Sequence, residues 1–582
     1  MKAWHFGNTT VRTPYRLRGG LQALSTSPLQ GNLVGKARES QFTRILHDNE
    51  VVFVQRIAEG DANRDYSDLG RKWRSALSQL GLISHKLTRG SLPETGIDPK
   101  LVTAAEAFDT ITGRPYEITP NGERLMAAET LPQQQEVFLR SLLAYRIPSV
   151  IEPDRQATGS FSPLRVVLQV LHQLEVEDDL EPKIQFEEMA GIIQFLRSEA
   201  DVTDAINKIR AYRQAHQAAE NKQGFRGDYV RQAEEQEEYS QGTLKDYADV
   251  NMRYLKATGI FSARGRGIAM LLAKRQLIEQ ILEQPDAALE SDDYLIQLWR
   301  GARLPTDNQP QAIQSIEQFI YWLQERGEAV TVPDLYSLSL QDLSQKRLEL
   351  EERYSLLLEQ DYADQQASQW EDIRDYMRDL TNKQTQLVPH GERPAYLEWV
   401  FWRAFLAINS LMNKPWEARQ FKIDQDFLPI NTAAGNRPDM VFEFEDYVLV
   451  VEVTLLASSR QEAAEGESVR RHVAKFVTEQ REEGANKPVF GLFIANSIDS
   501  NTAATFKIGQ WYLSDDTELA LDIVPITLSD FTDLFEVAFS KDGYSPNQLK
   551  DLFYRCLSSR NETAPKWKNT ISHNIRIELH RI

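Results

Sequence analysis

Residues 436–459 read NRPDMVFEFEDYVLVVEVTLLASS. Two β-rich runs, Met440–Phe444 and Tyr447–Leu455, flank Glu445-Asp446. That pattern predicts a hairpin, although Glu-Asp is not a favoured two-residue turn pair. A turn centred between 445 and 446 pairs residues equidistant from that point, which sets Asp439 directly across from Glu452. Directly opposed residues share a face, with Cβ atoms about 4.5–5.5 Å apart. An odd-length loop would break this register.

Glu452 stands among Val448, Leu449, Val450, Val451, Val453, Leu455 and Leu456. A lone carboxylate in such a strand is costly to desolvate. Two adjacent carboxylates repel unless they share a proton or bind a cation. A hard divalent ion such as Mg²⁺ (Mn²⁺ can substitute) resolves both problems with oxygen ligands. The same residues also allow an edge strand with Glu452 turned to water, or a Glu452–Arg437 pair. A third acid, Glu398, interrupts the apolar helix AYLEWVFWRAFLAINSL at 395–411. Downstream, EGESVRRHVAKFVTEQ at 465–480 predicts a helix start. Glu465 and His472 lie about two turns apart and would share a face, and Arg470, Arg471 and Lys475 could meet phosphate. FGLFIANS (490–497) and ALDIVPIT (520–527) supply two further strands.

The rest of the chain frames this stretch. It has 582 residues, 41% hydrophobic and 26% charged, an ordinary globular composition that excludes wholesale disorder. The length suggests several domains. One cysteine, Cys556, excludes an intramolecular disulfide framework and thiolate zinc clusters. No secretory h-region and no long apolar span is visible, so a cytoplasmic protein is expected. The net charge of −19 argues at first against a nucleic-acid partner. Its distribution reverses that inference. Residues 1–100 carry about +6, and residues 281–380 about −13. Basic residues gather at Arg12, Arg16 and Arg18, at Lys36 and Arg38, at Arg71, Lys72 and Arg74, at Lys86 and Arg89, and again at Arg253, Lys256, Arg264, Arg266, Lys274 and Arg275. Such residues suit phosphate contacts, and equally suit solvated faces.

Two helix-plus-wing patterns appear in the first half. Leu69, Trp73, Ala76, Leu77 and Leu80 recur at helical spacing over 66–83, with Gly81 as a stop. Residues 114–130 then suggest an extended piece, a Pro-Asn-Gly turn and a helix, followed by a helix from about 132 to 145. Residues 163–200 suggest two more helices, and 226–243 a loop or solvated helix. The second pattern is a helix at 246–257, a turn at Gly259, a strand at 260–263, a Gly-rich turn at 265–267 and a strand or helix beyond. Residues 281–382 read as acidic helices acting as a spacer that would face away from DNA. A boundary is expected near 384–395.

Pro438-Asp439, twelve residues, then Glu452-Val453-Thr454 follows the PD-(D/E)xK nuclease arrangement, with Thr454 where that motif has lysine. At this level the chain resembles the AlwI-type restriction endonucleases, with PleI, MlyI and their strand-nicking relatives. NTAAGNRPDM, EDYVLVVEVT, ESVRRH and LFIANSIDSNT carry the resemblance in order, and it extends to EVFLRSLLAYRIPS and MRYLKATGIFSARG. That family also has Thr after its Glu-Val.

The resemblance implies a multidomain chain. It would have mainly α, winged-helix-like recognition subdomains at 1–150 and 151–285, a helical acidic linker at 286–385, and an α/β PD-(D/E)xK-like nuclease domain at 386–582. It implies type IIS cleavage of double-stranded DNA a few base pairs outside a short asymmetric site, in a prokaryotic cytoplasm. Asp439 and Glu452 would bind Mg²⁺, Glu398 would complete the metal site, and Glu465 and His472 would belong to the catalytic set. Arg12, Arg16, Arg18, Arg71, Lys72, Arg74, Arg253, Lys256, Arg264 and Arg266 are the candidate DNA contacts. One site cuts one strand, so double-strand cleavage implies a second subunit, as a transient homodimer or a small partner chain. A strand-specific nicking enzyme, the large subunit of a heterodimeric enzyme, and a DNA-binding protein with an inactive nuclease domain stay open.

Overall fold

The computed structural model describes residues 2–582 apart from 34, 59, 62–63, 86–115, 150, 153–158, 287–290, 383–386, 390, 409, 458–459, 486 and 542. Lys86 and Arg89, part of the expected boundary near 384–395 and the start of the expected extended piece at 114 lie outside the described residues. Helices predominate, and the chain divides into two compact units, Met1–Arg353 and Tyr354–Ile582. The division falls inside the uninterrupted helix Leu340–Asp364, within the stretch read as a spacer.

In the first unit, helix Ser67–Gln79 buries Trp73, Ala76 and Leu77, the stripe that the spacing predicts. It ends where Gly81 takes φ 68°. A Cβ there would lie 2.0 Å from the Leu298 carbonyl oxygen, so only glycine fits. Strand β1 (Ile83–His85) then pairs antiparallel with β2 (Tyr116–Ile118). Pro120-Asn121-Gly122 is not a turn but the start of helix Pro120–Ala127. The Thr119 side chain accepts from the Gly122 N–H, and Pro120 fills the first turn, where a missing N–H costs nothing. Helix Leu131–Ala144 follows behind a Thr130–Gln133 capping box.

The expected pair of helices at 163–200 resolves into Pro163–Val176 and a short helix, Phe186–Gly191, with 3₁₀ turns beyond. Strand β3 (Ile184–Gln185) precedes the short helix. Residues 226–236, read as loop or solvated helix, belong to helix Lys222–Gln236. Helix Thr243–Ala257 leads into β4 (Phe261–Arg264) and β5 (Gly267–Met270). The segment after Gly267 is therefore strand, and β3-β5-β4 form a three-stranded antiparallel sheet.

The acidic stretch does more than meet solvent. In the same unit Glu136 pairs with Arg140 at 2.7 Å and with Arg347, Arg140 pairs with Asp307 at 2.6 Å, and Arg347 pairs with Glu351 at 3.3 Å. Burial is the largest single effect and pushes the Glu136 carboxyl up, but the two arginines together outweigh it and hold the carboxyl down at about 2. Removing one partner from such a network strands a buried charge.

The second unit is organised on a four-stranded mixed sheet. Strands β6 (Met440–Glu443) and β7 (Val448–Thr454) form the hairpin, and β8 (Val489–Ala495) lies parallel to β7. A separate hairpin, β9 (Gln510–Tyr512) with β10 (Glu518–Ala520), precedes β11 (Asp522–Thr527), which is parallel to β8. The order is β11-β8-β7-β6. Helix Arg393–Ile408 packs on β6 and β7, and helix Glu467–Glu482 on β7 and β8. Helix Pro546–Ser558 packs on β11 and carries Cys556, whose thiol burial pushes up to about 12. No helix among the described residues is long and apolar enough to cross a membrane.

Candidate active site

The hairpin register runs Met440↔Val451, Val441↔Val450, Phe442↔Leu449 and Glu443↔Val448. The Phe444 N–H donates to the Tyr447 carbonyl at 2.9 Å, closing a two-residue Glu445-Asp446 loop. Neither loop residue adopts a positive φ. One step beyond the ladder, Asp439 falls opposite Glu452, as an even loop requires. The Asp439 carboxylate accepts the Val453 N–H at 2.7 Å. Asp439 is therefore anchored at the end of β7, beside the C-terminal ends of β8 and β11, where open α/β sheets place their ligands.

Glu452 does not lie on an edge strand. β7 runs between β6 and β8, and Glu452 is buried. Its partner is not Arg437, which donates to Gln420 Oε1 at 3.4 Å. It is His472, whose Nδ1 lies 2.5 Å from Glu452 Oε1.

Glu398 arrives from helix Arg393–Ile408, where every side chain from Ala395 to Ile408 is buried. Its Oε2 accepts the Ala433 N–H at 2.7 Å. Burial first, then Asp439, pushes the Glu398 carboxyl well above the usual range. Burial and then Glu452 push Asp439 up, against the Val453 N–H. Burial and then Glu465 push Glu452 up, and the Asp439 N–H and then Arg471 oppose them. These acids therefore resist ionisation together when no cation is bound.

Glu465 departs from the expected geometry. It sits in a π-helical turn, Glu462–Gly466, ahead of the regular helix Glu467–Glu482 that carries His472. The two are thus not joined by two regular α-turns. Glu465 meets the Thr454 hydroxyl, which opposes the upward push of burial on its carboxyl, and it still lies within electrostatic reach of His472. Burial, then Arg471, lowers the His472 imidazole to about 4. Its Nε2 is buried without a partner among the described residues.

The donor set is hard oxygen, from Asp439, Glu452 and Glu398, with free acceptor capacity left after the two backbone N–H bonds. That chemistry fits a Mg²⁺-class ion, and the mutual repulsion of the acids is what such an ion relieves. Among the described residues no three His, Cys, Asp or Glu side chains already stand together tightly enough to hold an ion between them. The fit is therefore to an ion bound by one or two carboxylates and completed by water, the usual habit of Mg²⁺.

The basic residues read from the sequence fall in the first unit. Arg12 pairs with Asp246 and Asp249, Arg253 with Asp249, and Arg74 with Glu39 at 2.8 Å. Arg71 and Lys72 both pair with Asp68 on their own helix. Arg264 pairs with Glu181 and Arg266 with Glu187. Arg18 donates to the Met126 carbonyl, Arg16 is exposed, and Lys256 lies on helix Thr243–Ala257.

Sequence reasoning missed Gln461. Fully buried, it donates to the Leu456 and Ser497 carbonyls and accepts the Asp499 N–H, pinning the start of the π-helical turn that carries Glu465. Nothing in local pattern marks a glutamine whose partners are so dispersed.

The family model described as AlwI restriction endonuclease matches residues 78–534. Among solved structures, the small subunit of the heterodimeric restriction endonuclease R.BspD6I is 24% identical, covering 35% of this chain and 98% of that one, with a TM-score of 0.28. No curated protein matches the chain. The family match spans most of the sequence, including the hairpin with Asp439 and Glu452, the Glu398 helix and the His472 helix: the chain belongs to the AlwI restriction endonuclease family and is a nuclease of the restriction class.

Proposed function

We propose that this chain is a Mg²⁺-dependent type IIS endonuclease that reads a short asymmetric DNA site and hydrolyses phosphodiester bonds a few base pairs outside it. The observation that carries this reading is the placement of Asp439 opposite Glu452, with Glu398 within electrostatic reach of both and His472 bonded to Glu452. In this reading the β6–β11 sheet and its helices are a PD-(D/E)xK-like nuclease core. The β1–β2 and β3–β5 sheets with their helices are winged-helix-like recognition modules.

Asp439 and Glu452 would hold the ion, and Glu398 would complete or orient the site. A bound divalent ion supplies Lewis-acid polarisation of the phosphate and a more acidic water. The chain's own part is positional. The Val453 N–H fixes the Asp439 carboxylate, the Ala433 N–H fixes Glu398, and His472 fixes the Glu452 rotamer. The neutral imidazole that burial favours leaves Glu452 free to ligate.

One such site cuts one strand, so cutting both requires a second copy or a partner chain. Incubation of supercoiled plasmid with the protein and MgCl₂ tests the reading. Linear product with a fixed offset from one sequence supports it, and stable open circles identify strand-specific nicking. Tight binding to a short duplex with no cleavage in Mg²⁺ or Mn²⁺ overturns it in favour of a DNA-binding protein.

A further inference from the structure

We infer that Arg471 is the protein cation that contacts the scissile phosphate in this site. The inference rests on the nuclease reading above and adds to it a catalytic residue.

The problem is one of charge. Glu398, Asp439, Glu452 and Glu465 gather four carboxyl groups at the end of β7, and the group to be attacked is itself an anion. Thr454, at the strand end, brings no charge. Its hydroxyl accepts the Leu456 N–H at 3.2 Å and meets Glu465. Any protein cation acting beside the bound ion would come from another element, since donors aimed at the developing charge supply a large share of such catalysis.

Helix Glu467–Glu482 carries the candidates. Arg470 is drawn away from the acids: its Nη2 donates to the Gln510 carbonyl at 2.5 Å, and its guanidinium lies over the Trp511 ring. Lys475 lies 3.7 Å from Glu479 and over Phe476, with its side chain 62% exposed. Arg437 donates through Nη1 alone, to Gln420 Oε1 at 3.4 Å, at an exposed position.

Arg471 directly precedes His472, the residue bonded to Glu452, and its charge reaches both, where that of Lys475 reaches His472 alone of the two. Only its Nε is engaged, with Glu467 at 3.1 Å. Both Nη groups are without a protein partner among the described residues, on a side chain 41% exposed. A planar fork with two free donors, beside an acid cluster and open to solvent, matches the two non-bridging oxygens of a phosphodiester.

The test uses the full chain. Wild-type protein first maps the cleaved position on plasmid, and a duplex carrying that position is then used for kinetics in MgCl₂. Arg471→Ala should lower kcat by about 10²-fold, leave KM and gel-shift affinity within about threefold, and keep the wild-type circular dichroism. Arg471→Lys should recover part of the rate, since a point charge replaces the fork. Glu467→Gln should stay within about threefold of wild type. Wild-type rates in Arg471→Ala, a loss confined to KM, or an equal loss in Glu467→Gln overturns the assignment. So does a kcat loss in Arg437→Ala that Arg471→Ala does not share. If wild-type protein cuts no DNA, the nuclease reading itself fails and the inference falls with it.

Discussion

The amide of Val453 donates to Asp439 Oδ2 at 2.7 Å, one residue along from the strand partner of that carboxylate, Glu452. The bond holds Asp439 in place while leaving its other oxygen available. Asp439→Asn keeps an acceptor for Val453 and removes the charge. Cleavage should fall by at least about 10²-fold, while site binding in Ca²⁺ persists by gel shift. In EDTA the melting temperature should rise by a few degrees, because one of the mutually repelling acids is gone. A variant that still cuts in Mg²⁺ removes Asp439 from the site.

The same cluster sets a pH dependence. Glu398, Asp439 and Glu452 have carboxyl groups raised in the folded protein by burial and by one another. Protonated, they are at ease. Their stabilising contribution is full below the ordinary carboxylate range and is lost as pH rises through their raised values. Thermal scans in EDTA should therefore lose stability through this window, and MgCl₂ should raise the melting temperature more at pH 8 than at pH 5. An equal Mg²⁺ effect at both pH values counts against the cluster as the ion's seat.

Glu136 works in the opposite direction. Its carboxyl is held at about 2 by Arg347 and Arg140. That contribution is present above the unfolded value of 4.5 and lost as pH falls toward 2. The shift corresponds to about 3 kcal/mol as an order of magnitude. Glu136→Gln should lower urea stability of the first unit at pH 7 by roughly this amount and flatten its acid limb. A change of a few tenths of a kcal/mol would show that the network is energetically idle.

Charged residues of the basic N-terminal block should separate into two classes. Arg74 is tied to Glu39 and donates to the Tyr116 hydroxyl, so Arg74→Ala should cost melting temperature. Arg16 is exposed and has no ion pair among the described residues. Arg16→Ala should leave the melting temperature alone, weaken DNA binding, and reduce the slope of log K against log salt by about one. Binding titrations at several salt concentrations decide this. An unchanged slope takes Arg16 off the DNA.

What could be read from the sequence depended on how local its cause was. The β6–β7 register was legible because an even loop and a continuous apolar run leave one way to pair. Glu398 was legible as the one acid inside a largely apolar helix. The π-helical turn at Glu462–Gly466 was not, since an i→i+5 pattern has no side-chain spacing of its own, and it moved Glu465 onto Thr454. The loop reading of Pro120-Asn121-Gly122 failed because Thr119 caps a helix that proline can begin. The basic cluster was visible as composition, but the carboxylates that occupy Arg12 lie at Asp246 and Asp249, beyond the reach of any window.

Cys556 has a practical consequence. It is the chain's one cysteine, it is buried in helix Pro546–Ser558, and its thiol is pushed up to about 12. At neutral pH it is a thiol rather than a thiolate, shut away from reagents. A single cysteine introduced on the surface will therefore carry a fluorophore or spin label without background. Labels placed on the β9–β10 hairpin or on the exposed face of helix Glu467–Glu482 can follow DNA engagement in an otherwise native enzyme.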